Sequence, residues 1–414
     1  INFTREIIVL RDGEAGYVTL NDLLVEEVTR EGNTVTWRPV DVGSRISMVE
    51  WSPEMATKEG YSHFMIKEIH EQPYALASTL AAARESVESL ARLLTKSDRV
   101  LLLGAGTSYH AALISALLLR KYAGLWAEAL ISSESSWNLN TLRSGDVVIG
   151  ISQSGETIDT LKGIREAKVR GALTVAVTNV IESTIAREAD LTAYIRAGPE
   201  IGVAATKTFT SQVALLSYLA VRTGELRGVL KPSNTSPVYK ALEEIPETAS
   251  TIISSVKRHA SLLADVMHVR NNAYYLGRGL GLPIAMEGAL KLKEIAYIHA
   301  EAYPAGESKH GPIALVEEGF PVLFVVLGSD DGDLIKSNIE EMRARGAQII
   351  VVSPKNAKEI LSSADFQFEM PVLHEIASTI TYVMPLQILA YYTAVRKGLD
   401  PDKPRNLAKT VTVF

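Results

Sequence analysis

The chain has 414 residues, 47% hydrophobic and 22% charged, with a formal net charge of -6 and no cysteine. That length suits two or three domains with sizeable cores, and the mild acidity argues against a nucleic-acid partner, which would need a basic face. Disulfides, thiolate metal sites and cysteine nucleophiles are excluded, no apolar run reaches the roughly 18 residues of a membrane span, and no secretory signal is read at the start, so a cytoplasmic enzyme is expected.

Residues 7–10 are strand-like, and residues 20–40 alternate apolar and polar side chains, with turns at Arg11-Asp12-Gly13-Glu14 and Glu31-Gly32-Asn33. Residues 1–50 therefore read as the β-rich remnant of a domain whose body lies upstream, and 51–74 as a linking segment. Beyond it the pattern becomes strand, Gly-rich turn, helix, strand. Residues 99–103 form an apolar strand, Gly104-Ala105-Gly106-Thr107-Ser108 a turn, and 109–122 an apolar helix. Further strands are expected at 146–151 and 172–177. The same order returns at Ala273-Tyr274-Tyr275-Leu276, Gly277-Arg278-Gly279 and a helix over 282–298, with Gly277 standing 173 residues after Gly104. Strands at 320–327 and 348–353 follow. Such alternation predicts an α/β fold of two tandem domains, each a parallel sheet flanked by helices, at 75–225 and 245–395. Pro, Ser, Asn and Thr crowd residues 230–237, which read as a linker. Residues 396–414, with Pro401 and Pro404, read as an ordered tail lying over the rest.

Ser152-Gln153-Ser154-Gly155-Glu156-Thr157 falls between a strand and a helix. Backbone N–H groups at a helix N-terminus favour anions, hydroxyls add donors without charge, and Gly155 lets the backbone close on a ligand. One Ser there would be an ordinary helix cap. Three hydroxyls with Gln153 and Gly155 in six residues point instead to a phosphate cradle, with Ser108 beside it at the carboxyl end of the preceding strand. The corresponding stretch of the second half, Gly328-Ser329-Asp330-Asp331-Gly332-Asp333, carries three carboxylates that would repel phosphate. The cradle is thus expected in the first half alone. Glu287, Lys291 and Glu294 stand at i, i+4 and i+7 on one face of the helix that follows the second Gly turn, at the ligand edge of its sheet. His310 lies in a Gly- and Pro-bounded loop, with a side chain suited to proton transfer near neutral pH. Lys409 is the candidate amine of the tail.

These motifs identify a family. The Ser152 loop, Glu287-Gly288-Ala289-Leu290-Lys291-Leu292-Lys293-Glu294, Lys309-His310-Gly311-Pro312, and Arg405-Asn406-Leu407-Ala408-Lys409-Thr410 with the Val-Thr-Val that follows it resemble the glucosamine-6-phosphate synthases, the isomerising glutamine:fructose-6-phosphate amidotransferases. The segment from Ser62 to Pro73 resembles the opening of their isomerase part, and the likeness runs in order over residues 60–414. It implies paired sugar isomerase (SIS) domains, with residues 1–50 as the last strands of a glutaminase domain whose nucleophilic Cys is absent here. The implied activity is conversion of fructose 6-phosphate to glucosamine 6-phosphate by ring opening, imine formation and C1–C2 proton transfer, with no cofactor. The resemblance makes Glu294 the proton shuttle, Lys291 its helper at the C2 oxygen, and Glu287 the residue that orients Lys291. It makes Lys409 the Schiff-base amine and His310 the ring-opening residue, donated by the second subunit of a homodimer. It also makes Val203, through its backbone, a sugar contact; Ala205 stands where relatives often carry Ser, and Ala105 where they carry Cys. Two other functions fit the same residues: a sugar-phosphate-binding regulator, which would need only the Ser152 loop, and an amino-sugar phosphate deglycase or deaminase running the chemistry in reverse.

Overall fold

The computed structural model describes residues 4, 6–31, 34–48, 55, 57–328 and 332–410, which fall into two compact units, residues 1–57 and 58–414. In the first unit β1 (Glu6–Ile7) pairs with β5 (Ser47–Met48), while β2 (Glu14–Val18), β3 (Leu23–Glu31) and β4 (Thr34–Pro39) form an antiparallel meander. The alternation at 20–40 is realised in β3 and β4; Gly32 and Asn33 of the expected turn lie outside the described residues.

The second unit opens with α1 (Phe64–His70) and α2 (Gln72–Leu94). Residues 51–74 were expected to link; their described part instead contributes α1, because Met65, Ile66 and Ile69 share a face that the core buries. There follow β6 (Arg99–Gly104), α3 (Thr107–Ala123), β7 (Trp126–Ile131), α4 (Ser136–Leu139), β8 (Val147–Ser152), α5 (Ile158–Val169), β9 (Leu173–Thr178), α6 (Thr184–Glu188), β10 (Leu191–Tyr194) and α7 (Lys207–Leu226). Then come α8 (Pro232–Glu243) and α9 (Ile245–Met267). The second set is β11 (Asn272–Gly277), α10 (Gly281–Ala296), β12 (His299–Pro304), β13 (Pro321–Val325), α11 (Gly332–Arg343), β14 (Gln348–Pro354), α12 (Lys358–Ser362), β15 (Phe366–Met370), α13 (Glu375–Thr381) and α14 (Met384–Arg396).

The linker expected at 230–237 is mostly helix. Pro232 sits in the first turn of α8, where a missing N–H costs nothing, and Thr235, Val238 and Leu242 are buried on one side. Tyr239 of the same helix donates to Glu225 at 2.8 Å.

Both sheets are five-stranded and parallel, in the orders β7-β6-β8-β9-β10 and β12-β11-β13-β14-β15. Numbered within each half, both read 2-1-3-4-5, so the halves repeat in topology as well as in sequence. A strand buried on both faces needs a continuous apolar run. In β6, Val100 and Leu102 join the large core between the halves, whereas Leu101 and Leu103 join a smaller core under α5 and α6. A matching outer core holds Phe324, Ile335 and Ile360 in the second half. The central core draws on α2, α3, α7, α9, α10 and α14, so the two halves share one interior. Full burial of Leu76, Leu94 and Phe209 there stabilises the fold by about 1.5–3 kcal/mol each. Among the described residues no helix is long and apolar enough to cross a membrane.

Candidate active site

In a 2-1-3-4-5 sheet the chain reverses direction between the first and third strands, and the crevice at their carboxyl ends receives ligands. In the first half that point lies between β6 and β8, and a cavity of about 250 Å³ opens there. Gly106, Thr107 and Ser108 line it from the start of α3, Gln153, Ser154 and Thr157 from the start of α5, and Val203, Ala205, Thr208 and Gln212 from the start of α7 and the loop before it. Three helix N-termini therefore converge on one space, each bringing the positive end of its dipole to it. Glu294 of α10 reaches the same cavity from the second half, and Leu407, Ala408 and Lys409 of the tail close it.

The Ser152 loop is braced from below. Ser152 Oγ accepts from Gly155 N at 3.0 Å and lies 3.0 Å from Thr157 Oγ1. Ser154 Oγ accepts from Glu156 N at 3.2 Å, and Glu156 Oε1 accepts from Thr184 N at 2.7 Å. Gly155 has φ +71°, and a Cβ there would come within 2.2 Å of Ser183 Oγ. Gly155→Ala is accordingly expected to cost about 1–3 kcal/mol of stability and to weaken binding of inorganic phosphate, both measurable by thermal melting with and without phosphate. Ser108 Oγ accepts from Gln212 Nε2 at 3.1 Å, which fixes that hydroxyl on the facing wall.

Behind the cavity, α3 and α10 meet through a buried charge cluster. Glu287 is fully buried and accepts from Thr107 Oγ1 at 3.0 Å; its other oxygen lies 2.7 Å from His110 Nδ1. Lys291, also fully buried, stands 3.3 Å from Glu287 and 2.6 Å from Glu294, and donates to Thr107 Oγ1 at 3.1 Å. Burial alone would lower the pKa of the Lys291 ammonium, but the two carboxylates outweigh it and raise the pKa. Burial would likewise raise Glu287; the Lys291 charge and the His110 bond bring it below the usual carboxylate range. Both groups are thus charged near neutral pH. Glu294, with 21% of its side chain exposed, is the member of the cluster that faces the cavity.

The tail is pinned before it reaches the site. Asp402 accepts from Phe64 N at 2.8 Å and Met65 N at 2.9 Å, and the Arg405 guanidinium lies 4.3 Å from the centre of the Tyr297 ring. Lys409 Nζ then donates to Glu200 Oε2 and to Gly202 O, each at 2.7 Å. Glu200 is buried, which would raise its pKa; Lys409 and the Thr206 and Thr208 donors hold it down to about 2.

Of the residues singled out in the sequence, Ser108, Gln153, Ser154, Thr157, Val203, Glu294 and Lys409 line the cavity. Ser152 is buried beneath its loop, while Glu287 and Lys291 form the layer behind. His310 ends a 3-10 helix (Ala305–His310), is exposed, and does not line this cavity. The carboxylate-rich stretch of the second half, residues 328–333, lies in part outside the described residues. Thr107, His110, Glu200, Thr208 and Gln212 were not anticipated. Thr107 and Thr208 could have been found as hydroxyls opening helices after Gly- or Ala-rich turns, whereas His110 and Glu200 offer no local signal.

Two like halves with a ligand crevice at the first sheet's switch point define a double sugar-isomerase-type protein. The family model of the SIS domain matches residues 93–222 and 267–397, and the chain belongs to that family. It is 49% identical, over its full length, to the isomerizing glutamine–fructose-6-phosphate aminotransferase of Pyrobaculum aerophilum, and it spans 66% of that protein. Among solved structures it is similar to the C-terminal domain of the glucosamine-fructose-6-phosphate aminotransferase of Francisella tularensis, with a TM-score of 0.80 and 36% identity over 84% of this chain and 100% of that one. The glucosamine-6-phosphate deaminase of Thermotoga maritima follows with a TM-score of 0.68 and 25% identity, over 84% and 99% of the two chains. The resemblance drawn from the motifs is borne out by these relatives.

Proposed function

We propose that this chain carries the sugar-phosphate half of an isomerising amidotransferase, converting fructose 6-phosphate to glucosamine 6-phosphate in the cytoplasm. The observation that carries this reading is convergence. Hydroxyl and amide donors of the first half, Glu294 of the second and Lys409 of the tail meet around one cavity of sugar-phosphate size. Ser108, Gln153, Ser154 and Thr157 hold the phosphate. Lys409 condenses with the open ketose, Glu294 moves the proton between C1 and C2, and Lys291, oriented by Glu287, stabilises the developing charge on the C2 oxygen. Val203 offers its backbone to the sugar, and Ala205 leaves that contact without a hydroxyl. His310, exposed and away from this cavity, opens the ring in the site of a second subunit, which makes the working unit a homodimer.

A bare regulator would need the phosphate loop but not the buried Glu287–Lys291–Glu294 cluster, whose desolvation is costly unless the charges serve chemistry or specificity. The likeness to a glucosamine-6-phosphate deaminase favours one second reading, the same chemistry in reverse. Product analysis with fructose 6-phosphate plus ammonium, against glucosamine 6-phosphate alone, separates the two. Glucosamine 6-phosphate formed from the first mixture, or its aldose–ketose isomerisation without net ammonia release, supports the synthase half. Ammonia released from the second with no forward reaction supports the deaminase. No turnover of either sugar would leave only the regulator.

A further inference from the structure

The segment from Ser62 to Pro73 supplies no residue to the cavity, yet it carries a buried carboxylate whose placement calls for an explanation. Glu68 of α1 is 2% exposed. Its Oε1 accepts from Ile201 N and from Gly202 N, the latter at 3.1 Å, while its buried Oε2 has no hydrogen-bond partner among the described residues. Gly202 is the residue whose carbonyl accepts from Lys409 at 2.7 Å, and a Cβ on it would lie 2.8 Å from Glu68 Oε2. The peptide groups of one glycine thus tie Glu68 on one side to the candidate Schiff-base amine on the other. Glu200, two residues earlier, closes the group.

Each carboxylate is committed differently. Glu200 spends both oxygens on Lys409, Thr206 N, Thr208 N and Thr208 Oγ1. Glu68 has one oxygen satisfied and one free. Burying a carboxylate oxygen without a donor is costly, and a proton arriving on that oxygen relieves the cost, which makes Glu68 a ready proton acceptor. The other charged groups nearby are already engaged: Asp402 with Phe64 N and Met65 N, and Lys67 and Lys207 with Glu71. Burial first, and then the Glu200 charge, push Glu68 up to about 7, against the opposing pull of Lys409 and the two backbone donors.

Resting on the Lys409 reading above, we propose that Glu68 is a positioning residue for Lys409 that takes up the proton the amine must lose before it attacks the sugar. Lys409 begins as an ammonium and Glu68 as a carboxylate. The proton leaves Nζ and comes to rest on Glu68, giving a neutral amine and a carboxylic acid with no change in net charge. The Nζ lone pair then bonds to the ketose carbonyl carbon, and water departs as the C=N bond forms. Solvent need not accept a proton from a half-buried amine, and Glu200 stays ionised throughout to hold the amine in place.

The test is reductive trapping of Lys409 with fructose 6-phosphate and cyanoborohydride, followed by peptide mass spectrometry, from about pH 5.5 to 9. In Glu68→Gln the side-chain carbonyl still accepts from Ile201 and Gly202, so a purely structural role survives the change. The expected result is a trapping profile shifted upward by about one pH unit or more, with about tenfold slower trapping at neutral pH. Trapping of wild type together with an unchanged profile in Glu68→Gln would overturn the proposal and leave the Lys409 reading intact. Failure to trap wild type at Lys409 would sink both. Should Glu68→Gln fail to fold, infrared difference spectra of wild type decide the matter. A protonated-carboxyl band gained on adding fructose 6-phosphate supports the transfer, and its absence overturns it.

Discussion

Replacing Glu294 by Gln is expected to lower turnover by about a thousandfold while sugar-phosphate affinity changes by less than about threefold. The substitution is nearly isosteric. It keeps an oxygen for Lys291, now 2.6 Å from Glu294 Oε2, and it leaves the phosphate cradle on the opposite wall untouched. What disappears is a carboxylate able to take a proton from carbon and return it. Trapping of Lys409 with fructose 6-phosphate should therefore persist in this variant, because imine formation precedes the proton shift. Isotope exchange at C1 or C2 should be lost. Turnover close to wild type would remove Glu294 from the shuttle role. The same variant probes subunit sharing. Mixed with His310→Ala chains it should regain part of the activity, since one site of each heterodimer would then have both groups intact. Heterodimers without recovery would put His310 to work in its own chain.

Glu287→Ala is expected to cost about 3–5 kcal/mol of stability, because it strands buried charge. Glu287 is the hub between the halves: it meets Lys291 at 3.3 Å on its own helix, and Thr107 and His110 across the interface. Removing it leaves Lys291 with one carboxylate, Glu294, beside the Thr107 hydroxyl, and His110 with no acceptor in that direction. Glu287→Gln should lose much less, since an amide oxygen still accepts from Thr107. The sign with pH follows from the lowered Glu287 pKa. The group's stabilisation is present above the unfolded carboxylate value of about 4.3 and is lost as pH falls through the lower folded value. Wild type should thus outlast Glu287→Ala by a wide margin near neutrality and by a shrinking one in strong acid. Urea unfolding of both proteins across pH measures this, and equal stability at neutral pH would show that the cluster does not join the halves.

Much of the fold could be read from local pattern. The first strand of each half is a short apolar run ending in glycine, and Gly104 and Gly277 play one part: a Cβ at either would strike the backbone four residues on, at 2.5 and 2.4 Å. The helix at 232–243 was concealed because its buried residues are few and its first turn is made of Pro, Ser, Asn and Thr, residues equally at home in a loop. The site divides in the same way. Ser152 to Thr157 is contiguous, and its hydroxyl spacing carries the message. The bonds that complete the site join residues 177 apart, as in His110–Glu287, or 209 apart, as in Lys409–Glu200. No periodicity reaches across such intervals. His110 reads as an ordinary residue of an apolar helix until the second half is docked on it, and Glu68 reads as one charge among several in α1 until the loop carrying Gly202 is laid over it.

The most direct measurement is a crystal structure of the chain with glucosamine 6-phosphate. The phosphate is expected among Ser108, Gln153, Ser154 and Thr157, with the sugar's C1 and C2 turned to Glu294 and within reach of Lys409. A phosphate bound instead at the second half's switch point, between β11 and β13, or a sugar turned away from Glu294, would contradict the assignment of this cavity as the active site.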